Sequence, residues 1–134
     1  MQFAHVGASD VVYDLGSGDG RIVVLAAQKY GATAVGIEID PALAERARQV
    51  AREGEVIDQA TFIEGDLFAA DLSRASVVTL SLSPAVNARL ASKLQRELKP
   101  GTRVVPHRFG IEGWAPTETV GAADGTTLFL WIVK

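Results

Sequence analysis

The chain has 134 residues, which suits one domain over residues 1–134 and is long enough to bury a core. Hydrophobic residues make up 48% and charged residues 22%, a globular composition; no cysteine is present, which excludes disulfides and thiolate metal sites, and no metal centre is expected from two distant histidines. The net charge of −3 gives no general attraction to phosphate backbones, so nucleic acid is not an expected partner.

The start, MQFAHVGASD, lacks the cationic end and apolar core of a signal peptide, and no later run reaches membrane-spanning length. No membrane span and a cytoplasmic location are expected. Val11 to Leu15 reads as a strand ended by glycine. Arg21 to Tyr30 follows as a helix, stopped at Gly31 in the position that favours glycine. Ala34 to Ile39 is β-branched and reads as the second strand. Asp40-Pro41 then supplies an N-cap and a first-turn proline for a helix with Leu43, Ala47 and Val50 on one face. Arg46, Arg48 and Arg52 read as its solvated surface. Ala60 to Glu64 and Ser76 to Leu82 are the third and fourth strands. Ser83-Pro84 repeats the cap-and-proline signal, and Val86, Leu90, Leu94 and Leu98 mark a helix that Pro100-Gly101 ends. Thr102 to Pro106 is the fifth strand. Ala115 to Val120 and Thr126 to Val133 are joined by GAADG, too short a link for a helical crossover, and should pair antiparallel. Strands alternating with helices predict an α/β fold, a mostly parallel sheet with helices on both faces.

The stretch VVYDLGSGDGRIVV places glycines 16, 18 and 20 between the first strand and first helix, at the sheet edge where open α/β folds bind ligands. A dinucleotide fingerprint needs G-x-G-x-x-G, but Arg21 stands where its third glycine belongs; a P-loop needs Gly-Lys-Ser/Thr, which does not follow. Acids surround the turn instead: Asp14 before it, Glu38 near the end of the second strand, and Asp66 after the third. Carboxylates of this kind suit a ligand with an ammonium, a sulfonium, a ribose diol and an adenine, which is S-adenosyl-L-methionine. Its carboxylate can meet the N–H groups at the start of the first helix.

DLGSGDG, IEIDP and EGDL resemble the class I, seven-β-strand methyltransferases over nearly the whole chain. The resemblance implies a Rossmann-like three-layer sandwich with strand order 3-2-1-4-5-7-6 and an antiparallel C-terminal hairpin. It implies that Asp14, Gly16, Ser17 and Gly18 frame the methionine part of the cofactor. Glu38, followed by Ile39, would bind the ribose hydroxyls, and Asp66 and Leu67 would lie at the adenine. YDLGSGDGRIVVLAA, AVGIEIDP, SLSP, LKPGTRVVPHRF and GWAP are together similar to lysine methyltransferases that modify mitochondrial membrane proteins, and to bacterial and archaeal relatives. Those enzymes carry an additional N-terminal segment, whereas only about ten residues precede the first strand here. That shortened front is expected to leave Phe3 and Val6 on an apolar surface and to favour a homodimer.

Residue by residue, other roles stay open. Asp14 fits a cap on the turn amides, and Asp66 a cap on the following turn; Asp19 and Arg21 read as a local pair. Ser81, Ser83 and Pro84 stand where amino-directed relatives carry Asn/Asp-Pro-Pro-aromatic, which argues against an exocyclic base amine as acceptor. Ser83 also reads as a helix N-cap, His107 as a structural histidine at a strand end, and Trp114 and Trp131 as packing residues. Methyl transfer is an in-line displacement in which the enzyme chiefly aligns the reactants. No general base is identifiable, so the catalytic residues stay unassigned. The expected acceptor is a protein lysine, attracted by Asp14, Asp19, Glu38, Asp40, Glu64 and Asp66 at the carboxyl edge. A small-molecule acceptor and a non-catalytic cofactor-binding module remain as alternatives.

Overall fold

The computed structural model describes residues 5–107, 110–121 and 127–134, with the backbone alone for Val120 and Thr127. In chain order the elements are β1 (Val11–Leu15), α1 (Arg21–Tyr30), β2 (Thr33–Glu38), α2 (Pro41–Glu53), β3 (Ala60–Glu64), β4 (Val77–Leu80), α3 (Pro84–Glu97), β5 (Arg103–Pro106), β6 (Glu118–Gly121) and β7 (Thr127–Ile132). The strands form a 7-stranded sheet in the order β3-β2-β1-β4-β5-β7-β6. β1 to β5 run parallel where they pair, and β7 is antiparallel to both β5 and β6. The expected three-layer arrangement is present.

Alternation along each strand divides the core. Val12, Ala34, Ala60 and Val77 face α1 and α2, while Tyr13, Leu15, Ile37, Val78 and Leu80 face the side covered by Leu90, Leu94 and Leu98. The helix boundaries follow local chemistry. Asp40 Oδ1 accepts from Ala42 N at 2.9 Å and Ser83 Oγ from Val86 N at 3.3 Å, each cap followed by proline, while Gly31 closes α1 in the left-handed conformation. At the amino edge, Asp10 accepts from Gly7 N, Ser76 Oγ and Arg103 Nη2, tying the entry of β1 to β4 and β5.

Several expectations shift. α2 buries Ala44, Ala47 and Ala51, with Val50 at the margin and Leu43 36% exposed, so its apolar stripe is rotated from the expected one. Small side chains are what allow α2 to lie close on the sheet. β2 ends at Glu38, which leaves Ile39 outside the strand and 71% exposed. β4 and β5 are shorter than expected, and β6 starts only at Glu118; Thr117 N–H already donates to Leu130 O at 2.8 Å, and Pro116 before it has no N–H to carry the pairing further back. β3 reaches β4 without a helix: Asp66 Oδ1 accepts from Phe68 N at 2.9 Å and Asp71 Oδ1 from Ser73 N at 3.0 Å, and these side-chain turns carry the crossover. Val6 is 8% exposed and packs in the core on the α1 side, so it presents no surface for association; Phe3 and the GAADG link after Gly121 lie outside the described residues. Among the described residues no helix is long and apolar enough to cross a membrane.

One residue in β2 sets how closely the glycine turn approaches the sheet. A Cβ on Gly36 would lie 2.7 Å from both Cβ and Oγ of Ser17 and 2.9 Å from Phe62 Cδ1. Gly36→Ala is therefore expected to destabilise the fold by about 1–3 kcal/mol, the cost of overpacking, as read from the denaturant midpoint at unchanged slope.

Candidate cofactor site

β1, β2, β3 and β4 end side by side, and the loops leaving them enclose a cleft of about 330 Å³, a volume suited to a small molecule. Gly16, Glu38, Ile39, Asp66, Leu67, Phe68, Leu82 and Val86 are among its walls. A larger hollow of about 570 Å³ lies between Gln95, Trp114, Pro116 and Lys134, beside Ile132, which pairs with the first residue of β5. It is therefore at the opposite edge, away from the strand ends that bind ligands in such sheets.

The turn is held by the strand beside it. Gly16 N and Ser17 N both donate to Ile37 O, at 2.9 and 3.2 Å. Glu38 accepts from Gly18 N through Oε1 at 2.8 Å and from Asp40 N through Oε2 at 3.1 Å, so its carboxylate joins the turn to the start of α2. Gly18 has a φ of 57° with nothing within 4 Å of a would-be Cβ, leaving this part of the turn open to a ligand. The N-cap of α1 is Gly20, which brings no side chain to the first-turn N–H groups.

Of the eight residues expected from sequence, Gly16, Glu38, Ile39, Asp66 and Leu67 line the cleft. Gly18 stands beside it, hydrogen-bonded to Glu38, and Ser17 is buried behind the turn against Gly36. Asp14 is 1% exposed and lies beneath the turn, where its Oδ1 accepts from Thr79 Oγ1 at 2.7 Å. Burial pushes the Asp14 carboxyl up to about 7; the Thr79 hydrogen bond works against that shift and the Glu38 charge adds to it.

The acidic edge is less negative than its composition suggests. Asp19 pairs with Arg21 at 2.9 Å, Glu64 with Arg48 at 3.0 Å, and Asp14 is part-protonated near neutrality. Ser83 is the N-cap of α3, and Trp131 Nε1 donates to Trp114 O at 3.0 Å with the rings 6.0 Å apart, so these residues pack as expected. His107 is exposed just past the end of β5, where its backbone N–H donates to Leu80 O at 2.7 Å. Sequence reasoning passed over Gly36, Phe68 and Thr79. A glycine inside an apolar strand signals close backbone approach, and a hydroxyl in the buried run VVTL needs a partner, so two of the three had a readable signal. Among the described residues no group of three or more His, Asp or Glu could hold a metal ion.

A model of the ANTKMT methyltransferase domain matches residues 14–118, from the buried aspartate of β1 to the start of β6. The chain belongs to this family. Among its relatives, a protein-lysine N-methyltransferase of Saccharolobus islandicus (strain REY15A) is 43% identical over 99% of this chain and 85% of its own length. The adenine nucleotide translocase lysine N-methyltransferase of Mus musculus is 38% identical over 90% of this chain, which spans about half, 52%, of that longer protein. Among solved structures, an RNA methyltransferase from Salinibacter ruber in complex with S-adenosyl-L-homocysteine superposes with a TM-score of 0.94 at 52% identity, covering 98% of this chain and 86% of that one. This ANTKMT-family chain is an S-adenosyl-L-methionine-dependent methyltransferase, and S-adenosyl-L-methionine is its cofactor.

Because the folded state holds the Asp14 proton more tightly than an unfolded chain with the ordinary value of 3.8, stability falls as pH rises from there to about 7 and then levels off. Asp14→Asn is neutral at every pH and can keep a hydrogen bond to Thr79. In thermal unfolding without cofactor it should exceed the wild type at pH 8, by an amount on the order of a few kcal/mol, and lose most of that advantage by pH 4.

Proposed function

We propose that this methyltransferase acts on the ε-amino nitrogen of lysine in a protein substrate, through a site contained in one domain. The observation that carries the reading is the 43% identity to a protein-lysine N-methyltransferase across nearly the full length of both chains. The family match supports it, as do lysine N-methyltransferases among the longer relatives.

Within the cleft, Glu38 takes the ribose hydroxyls, because each of its oxygens already accepts one backbone N–H and is thereby held in place. The cofactor carboxylate lies toward the start of α1, past Arg21, whose own N–H donates to Asp19 Oδ1 at 3.4 Å. Ile39, Leu67 and Phe68 give the adenine an apolar slot, with Asp66 at its rim. The bound cofactor supplies an electrophilic methyl for in-line displacement. The protein aligns that methyl with an amine that has already given its proton to water, and excluding solvent from the mouth lowers the amine's proton affinity. Ser81, exposed just past the end of β4, and the half-buried Leu82, beside Gly16, form the acceptor side.

A second reading is favoured by one observation: the Salinibacter ruber structure, at 52% identity, is of an RNA methyltransferase. Against RNA as acceptor stand the net charge of −3 and the pairing of Arg21 and Arg48 to acids at this edge.

Incubation with methyl-labelled S-adenosyl-L-methionine and a cell lysate should place label on lysine, seen by mass spectrometry as methylated ε-nitrogen. Label confined to RNA or to small metabolites rejects the lysine reading and leaves the methyltransferase assignment standing; cofactor binding without transfer to any acceptor points to a non-catalytic module. In calorimetry, Glu38→Ala should weaken S-adenosyl-L-homocysteine binding by about 1–3 kcal/mol, the loss for hydrogen bonds to a charged group. Unchanged affinity would take Glu38 out of the site.

A further inference from the structure

We propose that Thr79 is a positioning residue for the cofactor, acting through Asp14, whose buried carboxylate its hydroxyl fixes beneath the glycine turn. β4 reads VVTL and is buried along its whole length, so a hydroxyl there is costly without a partner. Thr79 finds its partner across the strand pair. It is in register with Asp14, and Oγ1 donates to Oδ1 at 2.7 Å with both residues buried. On the other side of β1, Asp14 is in register with Gly36, the residue that admits Ser17 and brings the turn down onto the sheet. Thr79, Asp14 and Gly36 therefore form one row directly under the turn.

The groups facing Asp14 are few. Glu38, at the end of β2, is the charge that acts on it. β4 contributes the neutral Thr79 and β2 the side-chain-free Gly36, while the buried faces of α1 and α2 are Val23, Val24, Ala26 and Ala27, and Ala44, Ala47 and Ala51. A donor from Thr79 favours the charged form against burial and against Glu38. The ammonium of a cofactor above the turn gains from a carboxylate beneath it, because charges interact strongly where water is excluded. Removing the hydroxyl raises the pH at which that carboxylate forms and so moves cofactor affinity along the pH axis.

The proposal rests on the reading of Asp14 as part of the cofactor site, and the experiment separates the two. S-adenosyl-L-homocysteine, which keeps the ammonium and does not turn over, is titrated calorimetrically into the whole chain from about pH 5.5 to 8.5, spanning the midpoint near 7. Wild-type affinity should rise with pH through that midpoint. Thr79→Val, of nearly the same shape, should displace the rise to higher pH and weaken binding at pH 7 on the order of tenfold, whereas Thr79→Ser should restore the wild-type midpoint. Thr79→Cys, a weaker donor, should fall between them and decides the matter if the valine variant does not fold. A purely structural role would lower the melting temperature and leave the midpoint where it is. Asp14→Asn with reduced, pH-independent affinity, beside a Thr79→Val or Thr79→Cys profile identical to wild type, overturns the role of Thr79 alone. Wild-type affinity in Asp14→Asn overturns both.

Discussion

Two amides sharing one carbonyl hold the site together: Gly16 N–H and Ser17 N–H both point at Ile37 O. A turn of glycines leaving a strand has many conformations available, and ordering each residue costs about 1–2 kcal/mol of backbone entropy. The shared carbonyl at the end of β2 selects one of them. The choice is reinforced by the Glu38 carboxylate on Gly18 N and by Ser17 seated against Gly36. Once the turn is placed, the start of α1 is placed with it, and so is the space above Gly18. The same two residues of β2, Ile37 and Glu38, thus anchor the turn and wall the cleft.

Asp14 and Glu38 show how one sheet edge gives two carboxylates different characters. Glu38 sits at the rim, held by two N–H donors. Asp14 lies a layer below, shielded from water, with a single hydroxyl donor and the Glu38 charge nearby. The pairing of Asp19 and Glu64 with arginines likewise means that counting acids along the edge overstates its field. Attraction of a cationic acceptor would fall to the acids not so paired, within the short reach that salt allows.

Much of this was legible in the chain itself. Helix starts at Pro41 and Pro84 were readable because cap and proline act locally, and Gly31 marks its helix end for the same reason. The parallel core and antiparallel end followed from connection lengths, but the strand order came from family resemblance, since periodicity carries no information on lateral neighbours. Leu43 was misassigned because hydrophobicity outranks alanine in any stripe, whereas close helix-on-sheet packing selects the alanines at 44, 47 and 51. Asp14 could be placed beside the glycine turn from sequence, but not its depth, which depends on the register of β1 with β4 and on Ser17 covering Gly36. Val6 illustrates the same limit: local sequence near a chain start does not say which cluster a side chain joins.

The helix-free crossover between β3 and β4 carries one wall of the cleft, and its anchorage lies elsewhere in the fold. Lys93 on α3 donates to Ala70 O at 2.7 Å, Glu97 accepts from Leu72 N at 3.3 Å, and Arg89 lies over the Phe68 ring at 4.4 Å. Residues 66–72 are thus braced by α3 rather than by a helix of their own. Proteins open in cooperative units smaller than the whole, and these contacts would make the loop open together with α3 rather than with the α1 and α2 face. Transient detachment of α3 would dissolve the Leu67 and Phe68 wall while leaving the glycine turn on β2 intact. The two halves of the cleft thus rest on separate supports, one on α3 and one on β2, so that one could open while the other stays formed.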